Sequence, residues 1–220
     1  PPSFRTPSWN HRASVVLDLF LGGGGTASAM AWGLGRERPR GGRSRPAELF
    51  SFEREPAQVR RALGARGGLG AGWRRRLWAV RRRNASSPED HLRLGAELRR
   101  APVGGALPAV WVLEGRPYPA REGGAARPGY ARNPLDLLCA HRAPVDAVLL
   151  DPSGATQSLE VEWMIIELAC RPRWVLVVNL NLGGGSGASF VKGRLDMLAA
   201  SVGGWRLEVH GHFLLHHHRG

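Results

Sequence analysis

Val15-Val16-Leu17-Asp18-Leu19-Phe20-Leu21-Gly22-Gly23-Gly24-Gly25-Thr26 decides the fold of this 220-residue chain. Its apolar half reads as a strand buried on both faces, which suits a parallel sheet covered above and below. The glycines then let the backbone turn tightly and approach a ligand with no Cβ in the way. A helix over about 26–34 follows, and Ala27, Ala29 and Ala31 let it pack closely on the sheet. Its N-terminus faces the space above the turn, the arrangement on which nucleotide cofactors sit.

The same alternation continues outward from this unit. Glu48-Leu49-Phe50-Ser51-Phe52-Glu53 is a strand ending in an acid, and Pro56 opens a helix through Val59, Arg60 and Leu63, proline being favoured in a first helical turn. Strands are expected at 109–115, 145–151 and 174–179, helices at about 133–141, 158–170 and 189–201, and two closing strands near 205–209 and 213–217. This order predicts an α/β, Rossmann-like open, mostly parallel sheet with helices on both faces and an antiparallel C-terminal strand. In such sheets ligands bind at the carboxyl ends of the strands. Gly22 to Gly25, Glu53, Glu114, Asp151 and Asn179 all fall there.

Length and composition bound the rest. A chain of 220 residues suits one sizeable domain, here 14–220, preceded by a polar arm at 1–13 with Pro1, Pro2 and Pro7. The stretch at about 64–108 reads as an arginine-rich helical insertion. Trp73, Leu77 and Val80 have helical spacing, and Ser87-Pro88-Glu89-Asp90 starts a further helix through Leu92, Leu94 and Leu98.

The net charge is +13, and Lys192 is the only lysine. Arginine almost without lysine beside 30 Gly and 16 Pro is the composition a very GC-rich coding sequence would produce, so the charge weighs little as a sign of function. It still predicts salt-sensitive adhesion to polyanions. Cys139 and Cys170 stand in apolar contexts and read as reduced, buried thiols of an intracellular protein, a disulfide being the minority alternative. No apolar run reaches membrane-spanning length. A cytoplasmic placement is the expectation, with organelle targeting left open.

An acid ending the second strand can accept hydrogen bonds from the two hydroxyls of an adenosine ribose, and Glu53 fills that position. With Leu17-Asp18 and the glycines after it, Glu53, Glu114-Gly115 and Asp151, the chain resembles the class I S-adenosylmethionine-dependent methyltransferases. Its C-terminal half is most similar to the small O-methyltransferase-like group called methyltransferase domain family 24. Asp151 stands at the first acid of that group's pattern, Glu162 eleven residues on, and Asn179 where paired acids begin.

The resemblance implies S-adenosylmethionine as cofactor. Asp18, Phe20, Gly22, Gly24 and Gly25 would wrap its methionine part, Glu53 would hold the ribose, and Glu114 would lie near the adenine. Asp151 would be the catalytic residue facing a small-molecule acceptor. The chain departs from the family at Phe20, which replaces the usual first glycine. Pro152 and Gly154 replace a Gly and a His, and Asn179 and Leu180 replace acids. Only Asp151 would remain as a charged ligand, so no metal is expected.

Asp18-Leu19-Phe20-Leu21-Gly22-Gly23-Gly24-Gly25 also matches the turn of cytosine-5 DNA methyltransferases, where phenylalanine is usual. Neither cysteine follows a proline as that chemistry requires, so cytosine methylation is rejected. Two alternatives to methyl transfer onto an oxygen or nitrogen of a small molecule stay open. One is a degenerate member that kept only the fold. The other is a nucleic-acid-directed methyltransferase or binder using the arginines, which is less favoured than a solvated amphipathic helix pair. His210, His212, His216 and His218 alternate and read as an exposed strand end rather than a metal site. Trp32, Trp111, Trp163 and Trp174 are core candidates.

Overall fold

The computed structural model describes residues 14–36, 47–64, 66–100, 107–117, 134–150, 170–177, 205–210 and 213–218. Along the chain these form β1 (Ser14–Asp18), α1 (Gly25–Arg36), β2 (Ala47–Glu53), α2 (Pro56–Leu63), α3 (Gly68–Arg74), β3 (Ala79–Asn84) and α4 (Pro88–Arg100). Then come β4 (Ala109–Glu114), α5 (Pro134–Arg142), β5 (Ala147–Leu150), β6 (Trp174–Val177), β7 (Trp205–His210) and β8 (Phe213–His218). The fold is α/β and Rossmann-like. β3, β4, β2, β1, β5 and β6 lie side by side, every adjacent pair parallel. β8 follows β6, pairs antiparallel with it, and pairs antiparallel with β7 on its other side.

Alternation along each central strand feeds two cores. Leu17, Phe50, Phe52, Trp111 and Leu113 pack with Leu94 and Leu98 of α4 and Leu135 and Leu138 of α5. Val16, Leu49, Val110 and Val112 pack on the opposite face with Ala27 and Ala31 of α1, Val59 and Ala62 of α2 and Leu69 of α3. Near-continuous apolar strands are what a sheet covered on both faces demands. Small residues in α1 bring its backbone close.

Several expectations are corrected. The 64–108 stretch is not wholly helical, because Ala79–Asn84 forms β3 and pairs in register with β4. Trp73 and Leu77 are therefore not on one buried helical stripe with Val80; they are 53% and 41% exposed. The start at Ser87 stands as read: its Oγ accepts the Asp90 N–H, and Asp90 Oδ2 accepts both the Ser87 N–H and hydroxyl, a reciprocal cap of α4. Along this helix Leu94 and Leu98 are buried and Leu92 is 70% exposed.

Cys139 on α5 and Cys170 before β6 are joined as a disulfide rather than left as thiols. The cause is proximity in the fold, with Cα atoms 4.8 Å apart across 31 residues of sequence. Trp32, a core candidate, is half exposed, whereas Trp111 and Trp78 are buried. His216 and His218 stand on β8, whose backbone pairs with β6 on one side and β7 on the other, His210 ends β7, and His212 lies outside the described residues. The expected helices at 158–170 and 189–201 lie outside the described residues, Cys170 apart.

Candidate functional site

β1 is flanked by β2 on one side and β5 on the other, and the chain leaves it toward β2. The order of winding thus reverses at β1, and a crevice opens at the carboxyl ends of the strands beside it. The segment after β1 is held by single backbone bonds to both neighbours. The Leu19 N–H donates to Leu149 O at 3.3 Å and the Leu21 N–H to Phe52 O at 2.8 Å. Gly22 and Gly24 then adopt φ of 51° and 78°, left-handed values that glycine reaches without a steric cost.

The four glycines are not equivalent. A Cβ on Gly24 would stand 2.8 Å from the Ala62 Cβ, so Gly24 is required for α2 to pack under the loop. A Cβ on Gly22, Gly23 or Gly25 would meet nothing within 4 Å. Gly23 and Gly25 answer neither a packing demand nor a left-handed backbone, and they leave open space over the turn and the first residue of α1.

Asp18 is fully buried beneath the loop. Its Oδ1 accepts the Phe20 N–H at 3.2 Å and its Oδ2 the Ser51 hydroxyl at 3.1 Å. It fixes the exit of β1 from below. Ser51, its partner, carried no signal of its own in the sequence; the parallel register that sets Asp18 opposite Ser51 supplies it. Phe20 packs against the core under α4 and α5, so its ring is engaged with apolar side chains.

Glu53, half-buried at the end of β2, turns toward the same loop. Its Oε2 accepts the Gly22 N–H and its Oε1 the Glu55 N–H, both at 2.9 Å. An ionised carboxylate has about four acceptor positions, so two bonds leave it able to accept from a ligand as well. Glu114 is its register neighbour on β4. It was expected near an adenine, but it forms a bidentate ion pair with Arg82 of β3. That hydrogen bond holds the Arg82 guanidinium above its ordinary pKa. The arginine was not foreseen because its strand was read as helix.

Further along the edge, Arg82, Arg83, Asn84, Asp90, Arg93 and Glu114 line much of a cleft of 520 Å³. Arg83 binds Glu97 of α4 through two hydrogen bonds of 2.5 Å, and this holds the Glu97 carboxyl below the usual range against an opposing effect of burial. Asp151, Pro152, Gly154, Glu162, Asn179 and Leu180 lie outside the described residues. Leu150, which ends β5, places the chain before Asp151 next to β1 and β6. Among the described residues no helix is long and apolar enough to cross a membrane.

No protein-family model matches the chain, and the search of curated proteins finds no match.

Proposed function

We propose that this protein is a methyltransferase-like domain that binds S-adenosylmethionine over Gly22 to Gly25 and transfers its methyl group to an oxygen or nitrogen of a small molecule. The observation that carries the reading is the open space above Gly23 and Gly25, beside a strand-end carboxylate already turned toward the loop. Glycine where neither packing nor backbone requires it is explained by a ligand that must lie against the main chain. The exposed start of α1 offers N–H donors to that ligand. Glu53 would accept from the ribose hydroxyls, and Asp18 would act from below by fixing the loop.

The cofactor supplies an electrophilic methyl group, so the protein's task is chiefly to hold two reactants in line. Asp151 is the proposed acceptor contact, and Glu114, engaged with Arg82, would border the adenine by its backbone rather than offer a free carboxylate. Titration calorimetry with S-adenosylmethionine and its demethylated product tests the reading. Saturable heat is expected for both with the native chain and none for Gly23→Val, whose thermal midpoint should match the native one. A native chain that gives no heat with either compound at millimolar concentration would end the cofactor proposal.

A further inference from the structure

Residues 56–88 carry nine arginines and neither aspartate nor glutamate. Arg82 and Arg83 take carboxylates from Glu114 and Glu97, outside the stretch, and Arg81 lies over the Trp111 ring with its guanidinium carbon 4.8 Å from the centroid. The remaining six, Arg60, Arg61, Arg66, Arg74, Arg75 and Arg76, are exposed and make no ion pair among the described residues. Charges on β3 itself can be understood as protection of a sheet edge. Those six stand on α2, α3 and their flanking turns, where no sheet edge needs protecting.

The end of α3 is built to present three of them. The Leu77 N–H donates to Gly72 O at 3.0 Å and the Arg76 N–H to Trp73 O at 2.9 Å, the paired bonds of a Schellman motif. Arg76 occupies its left-handed position at φ 55°, a place where glycine is usual because a Cβ is penalised. The side chain is thus kept at a cost to the backbone, and such cost is characteristic of functional positions.

Beside this turn Trp32, Leu77, Arg75, Ser28 and Trp78 line a hollow of 290 Å³. Trp32 is 50% exposed at its rim. Its floor is rigid, since the Trp78 Nε1–H donates to Leu69 O at 3.1 Å and a Cβ on Gly72 would strike the Trp78 ring at 2.0 Å. Trp73, 53% exposed, adjoins the three arginines in sequence. Arginines alone would suit any polyanion. Exposed indoles interleaved with them match a polyanion that also has planar apolar faces, and single-stranded nucleic acid is that polymer.

We propose that the face formed by α3 and the end of α1 binds single-stranded nucleic acid, one base stacked on Trp32 in the hollow and Arg74, Arg75 and Arg76 on the adjoining phosphates. A duplex hides its base faces and cannot use the indole. This interaction does not rest on cofactor binding and can fail or succeed separately from it.

The test is fluorescence anisotropy with labelled single strands of about 20 nucleotides, oligo-dT and oligo-rU, against a duplex of equal length at about 150 mM salt. At least one single strand is expected to bind about tenfold more tightly than the duplex, and poly-glutamate should compete poorly. Trp32→Ala should weaken binding about tenfold and Trp32→Phe should restore most of it. Each arginine removed from the turn should flatten the log–log salt dependence by about 0.7. Arg76→Gly relaxes the backbone, so it should weaken binding without lowering the thermal midpoint. The proposal is overturned if poly-glutamate competes as well as the oligonucleotides, if duplex binds as tightly as single strands, or if Trp32→Ala and Arg76→Gly leave affinity unchanged.

Discussion

β3 and β4 are parallel, in register and six residues long, and both begin Ala-Val. From the third residue they part: Trp-Val-Leu-Glu in β4, Arg-Arg-Arg-Asn in β3. β4 has strands on both sides and four consecutive buried residues, whereas β3 has one neighbour and none buried. Central strands are bound by packing, and an edge strand can be bound by its backbone ladder, arginine stems and carboxylates reached from nearby elements. Arg81 over Trp111, Arg82 on Glu114 and Arg83 on Glu97 are that second kind of attachment.

Truncation should separate the two strands most sharply. Trp111→Ala removes a fully buried ring that stacks on Phe50 at 5.5 Å and donates to the buried Glu48 carboxylate at 3.2 Å. A loss of about 3–5 kcal/mol in urea unfolding is expected. Arg81→Ala, its register partner, should cost under about 1 kcal/mol. Equal losses would mean that the edge is as tightly built as the centre.

The glycine turn offers a second contrast, within one loop. Gly24→Ala forces a Cβ against Ala62 and a left-handed backbone at once, and should destabilise by about 1–3 kcal/mol. Gly23→Ala meets open space and should stay within about 0.5 kcal/mol of the native chain. Comparable losses at the two positions would remove the reason for reading Gly23 as a ligand-facing glycine.

How much of this was legible in the sequence follows from where each signal is local. The strand at Val15, the acid at Glu53, Pro56 opening α2 and the Ser87–Asp90 cap all rest on residues adjacent in the chain, and the structure holds them. β3 was hidden because three arginines give no two-residue apolar alternation, the signal by which a strand is read. The Cys139–Cys170 bond, the Ser51–Asp18 contact and the Glu114–Arg82 pair each join distant positions. They become visible only once α5 meets the lead into β6, β2 lies on β1, and β3 lies on β4. A one-dimensional spacing rule has no access to such pairings.

Smaller effects refine the picture of the edge. Arg76→Gly should raise stability by about 1 kcal/mol by removing the left-handed penalty, read as a higher thermal midpoint. No gain would show that the arginine is held there by contacts of its own. The edge should also respond to acid before the centre does.

Glu97 is held below the usual carboxylate range by Arg83, and Asp90 by the Ser87 hydroxyl. Groups depressed in this way stabilise the fold above the unfolded pKa and lose that contribution as pH falls through the folded one. The attachment of α4 to β3 should therefore be intact at neutral pH and weaken below about pH 4. For exposed pairs the effect should be only a few tenths of a kcal/mol, roughly. Hydrogen exchange of the β3 amides against those of β4 would detect it, and parallel loss in both strands would refute it.

The central claim is that the open glycine turn and the carboxylate of Glu53 together hold an adenosyl group. A crystal structure grown with saturating S-adenosylhomocysteine tests it most directly. The account predicts nucleoside density over Gly22 to Gly25 with ribose hydroxyls about 3 Å from the Glu53 carboxylate. An empty turn, or a nucleoside bound elsewhere with Glu53 still bonded only to Gly22 and Glu55, would contradict it.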